Sequence, residues 1–202
     1  MERFVTLSMV LLGAALCAFA GALAVDARGV PSDFIRSSCR ATQYPHLCER
    51  CLSTYAPPVR RSPRGVAAAA LAVSADKARS ASAFVRRVSV GARPVRSRES
   101  GAVQDCMETM RDSVDRLRRS VQEMKRMGRA RSPRFAWHLS NVQTWVSAAL
   151  TDEGTCLDSL SHNAGPTVRA AIRKRVVEVA QSLPPFRRAL QSVNKATDAD
   201  GL

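Results

Sequence analysis

Between Val103 and Met124 the apolar side chains fall at Val103, Met107, Met110, Val114, Leu117, Val121 and Met124, in alternating steps of four and three. A helix turns about 100° per residue, so this spacing draws a narrow seam along one side of a helix spanning 101–127. A seam of this kind needs other helices to cover it. The chain is therefore expected to be all-α. Its 5% aromatic content fits that reading better than an aromatic-rich β-sandwich. Gly128 and Ser132-Pro133 end the segment, and the pattern resumes at Phe135, Leu139, Val142, Val146, Ala149, Cys156 and Leu160. Within this second helix, Glu153-Gly154 is expected to loosen or kink the chain.

Two further segments carry helical spacing. Residues 64–89 are rich in Ala, Ser and Val, with Val66, Ala70, Val73 and Phe84 on one face. Arg93-Pro94 and Ser97–Gly101 form the next linker. Residues 167–197 place Val168, Ile172, Val176, Val179, Leu183, Phe186, Leu190 and Val193 at helical intervals, with Pro184-Pro185 expected to kink or split them. Four long segments with short breaks give an up-down-up-down four-helix bundle over 63–202. Ahead of it, residues 33–41 and 45–56 read as two short helices around Gln43-Tyr44-Pro45. Pro57-Pro58 and Arg60-Arg61-Ser62-Pro63-Arg64 lead from this 25–62 unit into the bundle.

The cysteines depend on the leader. Residues 1–24 run from Met1-Glu2-Arg3 through an apolar stretch to Ala22-Leu23-Ala24, a small-x-small cleavage pattern, with a rival cut after Ala27. This marks a signal peptide rather than a membrane anchor. The mature chain is expected to be secreted, off the membrane and in an oxidising compartment, with Cys39, Cys48, Cys51, Cys106 and Cys156. Cys106 and Cys156 are equidistant from residue 131, inside the Gly128–Pro133 break, so an antiparallel hairpin brings them level. Cys39–Cys48 would staple the short helices, which are too short to stand alone. Cys51 remains a free thiol. Cys48-Glu49-Arg50-Cys51 has C-x-x-C form without the βαβ context of redox enzymes, and a zinc set of Cys39, His46, Cys48 and Cys51 is equally disfavoured. His138 and His162 read as isolated surface or half-buried histidines. No metal and no cofactor is expected. None of Asn141, Asn163 and Asn194 starts a glycosylation triplet.

No catalytic motif appears: there is no G-x-S-x-G, no H-E-x-x-H and no phosphate-binding glycine loop. Of 31 basic residues 27 are Arg, and the formal charge is +14. That charge speaks to partners and solubility, not to fold. Nucleic acid fits it poorly, since no stacking platform or known motif accompanies it. Against this basic background, Glu108, Asp112 and Asp115 form an acidic stripe on one helix face, beside the apolar seam. Asp152, Glu153 and Asp158 fall at matching levels of the paired helix. Two roles fit the stripe: a solvated face with Arg partners at Glu108–Arg111, Asp112–Arg116 and Asp115–Arg119, or a binding surface.

Ser38-Cys39, Thr42-Gln43-Tyr44-Pro45 and Cys48 resemble the entry hairpin of plant invertase and pectin methylesterase inhibitors. Val103-Gln104-Asp105-Cys106-Met107-Glu108 is similar to the family's second helix. Val142-Gln143-Thr144-Trp145-Val146-Ser147-Ala148-Ala149-Leu150-Thr151, followed by Thr155-Cys156-Leu157-Asp158, is the most specific block. The likeness covers about 33–193, inside one inhibitor domain of about 33–197. It implies an inhibitor, not an enzyme, that binds pectin methylesterase one-to-one and blocks its pectin-binding cleft. It also implies that Glu108, Asp112, Asp115, Thr155 and Asp158 contact that enzyme. The invertase branch carries a Pro-Lys-Phe segment; the linker here reads Arg93-Pro94-Val95-Arg96, without Lys or Phe, which favours the esterase. No esterase domain follows, as expected of a free-standing apoplastic inhibitor. Two features depart from the family: Leu183-Pro184-Pro185-Phe186-Arg187-Arg188 in the last helix, and the basicity. The latter suits a wall protein that also holds acidic pectin through Arg forks.

Overall fold

The computed structural model describes residues 29–53, 62–91, 97–130 and 132–199. The leader at 1–24, the 57–61 stretch and the Arg93–Arg96 linker lie outside the described residues. Seven helices occur among the described residues: α1 (Gly29–Arg40), α2 (Pro45–Ser53), α3 (Pro63–Gly91), α4 (Ser97–Arg126), α5 (Pro133–Asn163), α6 (Pro166–Ala180) and α7 (Pro184–Ala199). The protein is an all-helical bundle. Helices α3, α4 and α5 are three of its rods, and α6 with α7 make the fourth. The double proline at 184–185 does split the last segment: Gln181–Leu183 form a turn, and α7 starts at Pro184.

The helix ends follow from their sequences. Ser132 caps α5, its hydroxyl accepting from Phe135 N at 3.0 Å, and Pro133 occupies the first turn, where a missing N–H costs nothing. Gly128, just past α4, has φ +70°, a left-handed conformation that a Cβ disfavours. The Arg64 guanidinium reaches from α3 to the Gly128 carbonyl at 2.5 Å and the Met124 carbonyl at 3.3 Å, satisfying the exposed end of α4. At the opposite end Gly165 N donates to Glu99 Oε2 at 2.6 Å, tying the α5–α6 turn to the first turn of α4.

These ties fix direction. The end of α4 meets the start of α3, and the end of α5 meets the start of α4, so consecutive rods are antiparallel. Helix α6 also runs against α3: Arg175 lies over the Phe84 ring, and the turn residue Ser182 meets Ser74 Oγ at 2.8 Å. Helix α3 is the hub, packed against α1, α2, α4, α6 and α7. Its many alanines suit that place: Ala67, Ala69, Ala70, Ala75, Ala78 and Ala81 are all buried and let neighbours approach closely.

The core of α4 corrects the seam drawn from sequence. Val103, Met110, Leu117 and Met124 are buried, but their companions are Cys106, Ser113, Ser120 and Met127. Met107, Val114 and Val121 are only half-buried. The reason is that α4 has two partners: α5 takes the Cys106–Ser113–Ser120 side, and Met107 and Val114 line a groove against α3. Helix α5 likewise continues unbroken through Glu153-Gly154. The expected loosening does not break the helix there, and the Glu153 side chain turns inward, where Ser113 donates to it.

Candidate functional site

The Cys106–Cys156 disulfide sets the register between α4 and α5, with Cα atoms 4.0 Å apart. Adjacent to it, Glu108, Asp112 and Asp115 are all exposed. At about 100° per residue they lie within about 60° of one another, and they span about 10 Å along the axis. They stand almost opposite the buried Cys106–Met110–Ser113–Leu117 line, and Glu108 also borders the groove against α3 that Met107 and Val114 line. Thr155 and Asp158 are exposed on α5. The five side chains thus occupy the outer surfaces of two helices joined at one end by the bond.

Local contacts order parts of this ridge. Gln104 Nε2 donates to Glu108 Oε1 at 3.1 Å, and Arg118 lies 3.7 Å from Asp115. Both pairs are exposed and contribute little stability. Thr155 donates its hydroxyl proton to the Thr151 carbonyl at 2.9 Å, which leaves its oxygen lone pairs outward. Two of the three intrahelical partners expected from sequence are engaged elsewhere. Arg116 Nε is 2.8 Å from Asp152 on α5, and the Arg119 guanidinium sits 5.0 Å from the centre of the Trp145 ring.

Asp152 and Glu153 do not join the ridge. Both are buried, Glu153 to 2% exposure. The Ser113 hydroxyl donates to Glu153 Oε1 at 3.0 Å, while Glu153 Oε2 has no donor. Loss of water is the main cause that pushes the Glu153 carboxyl up to about 7; neighbouring Asp152 adds to it, and Ser113 opposes it. Burial likewise raises Asp152 despite Arg116, whose Nε is close but not aligned as a hydrogen bond. Sequence placed these two acids with the others because helical level alone does not say which side turns inward.

The other chemistry-bearing residues have structural partners. Cys39 and Cys48 are joined, with Cα atoms 5.6 Å apart, which removes two sulfurs from any redox or zinc reading of that segment. Cys51 is a free, half-buried thiol. His138 is neither isolated nor at the surface. It is buried, with Nδ1 2.7 Å from Glu123 Oε2, and Asn141 Nδ2 donates to the same oxygen at 3.0 Å. These hydrogen bonds, His138 first, hold the Glu123 carboxyl below its usual range. Among the described residues no group of His, Cys, Asp and Glu has a metal-binding arrangement, and no helix is long and apolar enough to cross a membrane.

A family model described as "Plant invertase/pectin methylesterase inhibitor" matches residues 33–193. The chain belongs to this family. Pectinesterase inhibitor 9 of Arabidopsis thaliana is 47% identical over 157 residues, covering 76% of this chain and 77% of that one. The 21 kDa protein of Daucus carota is 38% identical over 160 residues, covering 79% and 82%. A crystal structure of a pectin methylesterase inhibitor from Arabidopsis thaliana aligns with a TM-score of 0.44 at 18% identity, over 75% of this chain and 95% of that one. The family's name is that of inhibitors, not of enzymes. Its match spans the hairpin, both disulfides and all five ridge residues.

Proposed function

We propose that this protein is a secreted inhibitor that binds pectin methylesterase one-to-one. The outer faces of α4 and α5 cover the enzyme's pectin-binding cleft and limit demethylesterification in the wall. The observation that carries the reading is the exposed ridge of Glu108, Asp112, Asp115, Thr155 and Asp158 on a disulfide-registered helix pair, in a chain otherwise dominated by arginine. A groove built for a polyanionic sugar presents groups that receive carboxylates, and a rigid acidic ridge offers them at fixed spacing. Rigidity matters because ordering flexible side chains on binding costs affinity. Charge then sets association rate and partner choice, while a desolvated centre supplies most of the binding energy. The relatives' names support the target, as does the lack of Lys and Phe at Arg93–Arg96. Residues 1–24 support secretion.

The test titrates the mature protein against a plant pectin methylesterase and a plant acid invertase in parallel. Stoichiometric loss of esterase turnover is expected, with invertase unaffected. Glu108→Lys with Asp112→Lys is expected to abolish inhibition while leaving the helical circular-dichroism signal intact. Inhibition that persists in this variant refutes the assigned face, and full esterase turnover at saturating excess refutes the function.

A further inference from the structure

The interruption at Pro184-Pro185 has a consequence on the surface. Two hollows, of about 250 and about 330 Å³, share Leu150 and Arg187 and so form one trough. It follows the outer groove between α5 and α7, crosses the α6–α7 turn and ends at the α1–α2 turn. Gln143 and Gln191 wall one end, and Gln181 and Tyr44 the other, with Arg187 at the junction over a floor that includes Leu150 and Phe186. The turn that the prolines create supplies Gln181 and Pro184 to the second hollow, so an unbroken fourth helix would lack it.

We propose that this trough binds a segment of an acidic polysaccharide, a chain of uronate sugars, independently of the inhibitory ridge. The lining chemistry selects the ligand. Each glutamine amide presents a donor and an acceptor, the pair that adjacent sugar hydroxyls complement. Tyr44 offers a ring face and a hydroxyl. The Arg187 fork suits a carboxylate bidentately, and no acid lines either hollow to oppose one. Polar groups dominate the first hollow, while Val177, Ala180, Leu183 and Pro184 give the second a more apolar lining against which the faces of sugar rings can pack. The trough is longer than one sugar ring, since Gln143 to Leu150 alone covers about 10 Å of helix. The chain's charge of +14 draws a polyanion from a distance. The trough is also separate from the ridge: Gln143, Ser147 and Leu150 centre about a quarter turn round α5 from Thr155 and Asp158, and Ser147, which shares the line of Asp158, stands about 16 Å before it along the helix. The choice of a pectic acid sugar rests on the proposed function, while the trough's polarity and charge do not.

Isothermal titration of the mature protein with a galacturonate decamer tests this, with the fully methyl-esterified decamer as control. One site per chain is expected for the acid decamer and much weaker binding for the ester. Arg187→Gln should weaken the acid decamer about tenfold or more, the loss typical of a charge-assisted pair. Arg173→Gln, on the exposed side of α6 and outside the trough, should change it less than twofold. Equal losses from both variants, or no binding by the intact protein, overturn the proposal. Esterase inhibition read on the same samples separates the two claims. Arg187→Gln is expected to inhibit normally, and Glu108→Lys with Asp112→Lys to bind the decamer normally. Decamer binding without inhibition by the intact protein would sink the inhibitor reading alone.

Discussion

Glu153→Gln should make the protein more stable at neutral pH and flatten its pH dependence. The Glu153 carboxyl sits between α4 and α5, with Ser113 donating to one oxygen and no donor at the other. Its proton leaves at about 7 in the folded protein, against 4.5 for the ordinary group. The folded state therefore holds the proton more tightly than the unfolded chain does. Below about 4.5 both states are protonated, and Glu153 imposes no penalty. As pH rises from about 4.5 to about 7, the unfolded chain ionises first and stability falls. Above about 7 the full penalty persists. A gap of this size corresponds to about 3 kcal/mol. The amide keeps an acceptor for Ser113 and never ionises, so the variant should gain up to that amount at pH 7.5 and almost nothing at pH 4.5. For a domain of this size the gain at pH 7.5 is roughly 6–12 °C in Tm. Thermal melts followed at 222 nm, for both proteins at both pH values, give the answer. Glu123 titrates in both proteins and cancels in the comparison, and the repulsion between Asp152 and Glu153 is part of the penalty that the amide removes. Parallel changes in Tm with pH for the two proteins would refute the burial argument. In the intact protein, the same penalty makes the α4–α5 pair firmest under mildly acidic conditions.

Cys106→Ser with Cys156→Ser opens a loop closed over a separation of 50 residues and should cost about 2–4 kcal/mol in chemical denaturation. An unchanged denaturation midpoint would show that packing alone holds the register. Ser132→Ala removes the cap of α5 and should lower stability by about 1 kcal/mol, with inhibition intact. Thiol titration of the mature native protein should find one reactive group per chain, Cys51, slower than in the unfolded chain because it is half-buried. A count of zero would mean that Cys51 is bonded to another molecule.

Much of this protein is written in its linear pattern. The alternating steps from Val103 to Met124 declare a long helix that needs partners, and the breaks at Gly128–Pro133 and Pro184-Pro185 coincide with real helix ends. The family's motifs are consecutive residues and need no structure to be read. Periodicity, however, records only that a helix has an apolar side. It does not say how many neighbours share that side. Because α4 meets both α3 and α5, its core shifts to Cys106, Ser113 and Ser120, and two small polar residues are buried where the pattern suggested Val114 and Val121. That rotation places Glu108, Asp112 and Asp115 at the outermost line of the helix, and Asp152 and Glu153 inside. The trough around Arg187 was equally illegible, since Tyr44, Gln143, Gln181 and Gln191 come from four separate segments. Local sequence fixes dihedral preference and hydrophobic period, because those forces act within a turn or two. Solvent access and the juxtaposition of distant side chains exist only once the helices have closed on one another.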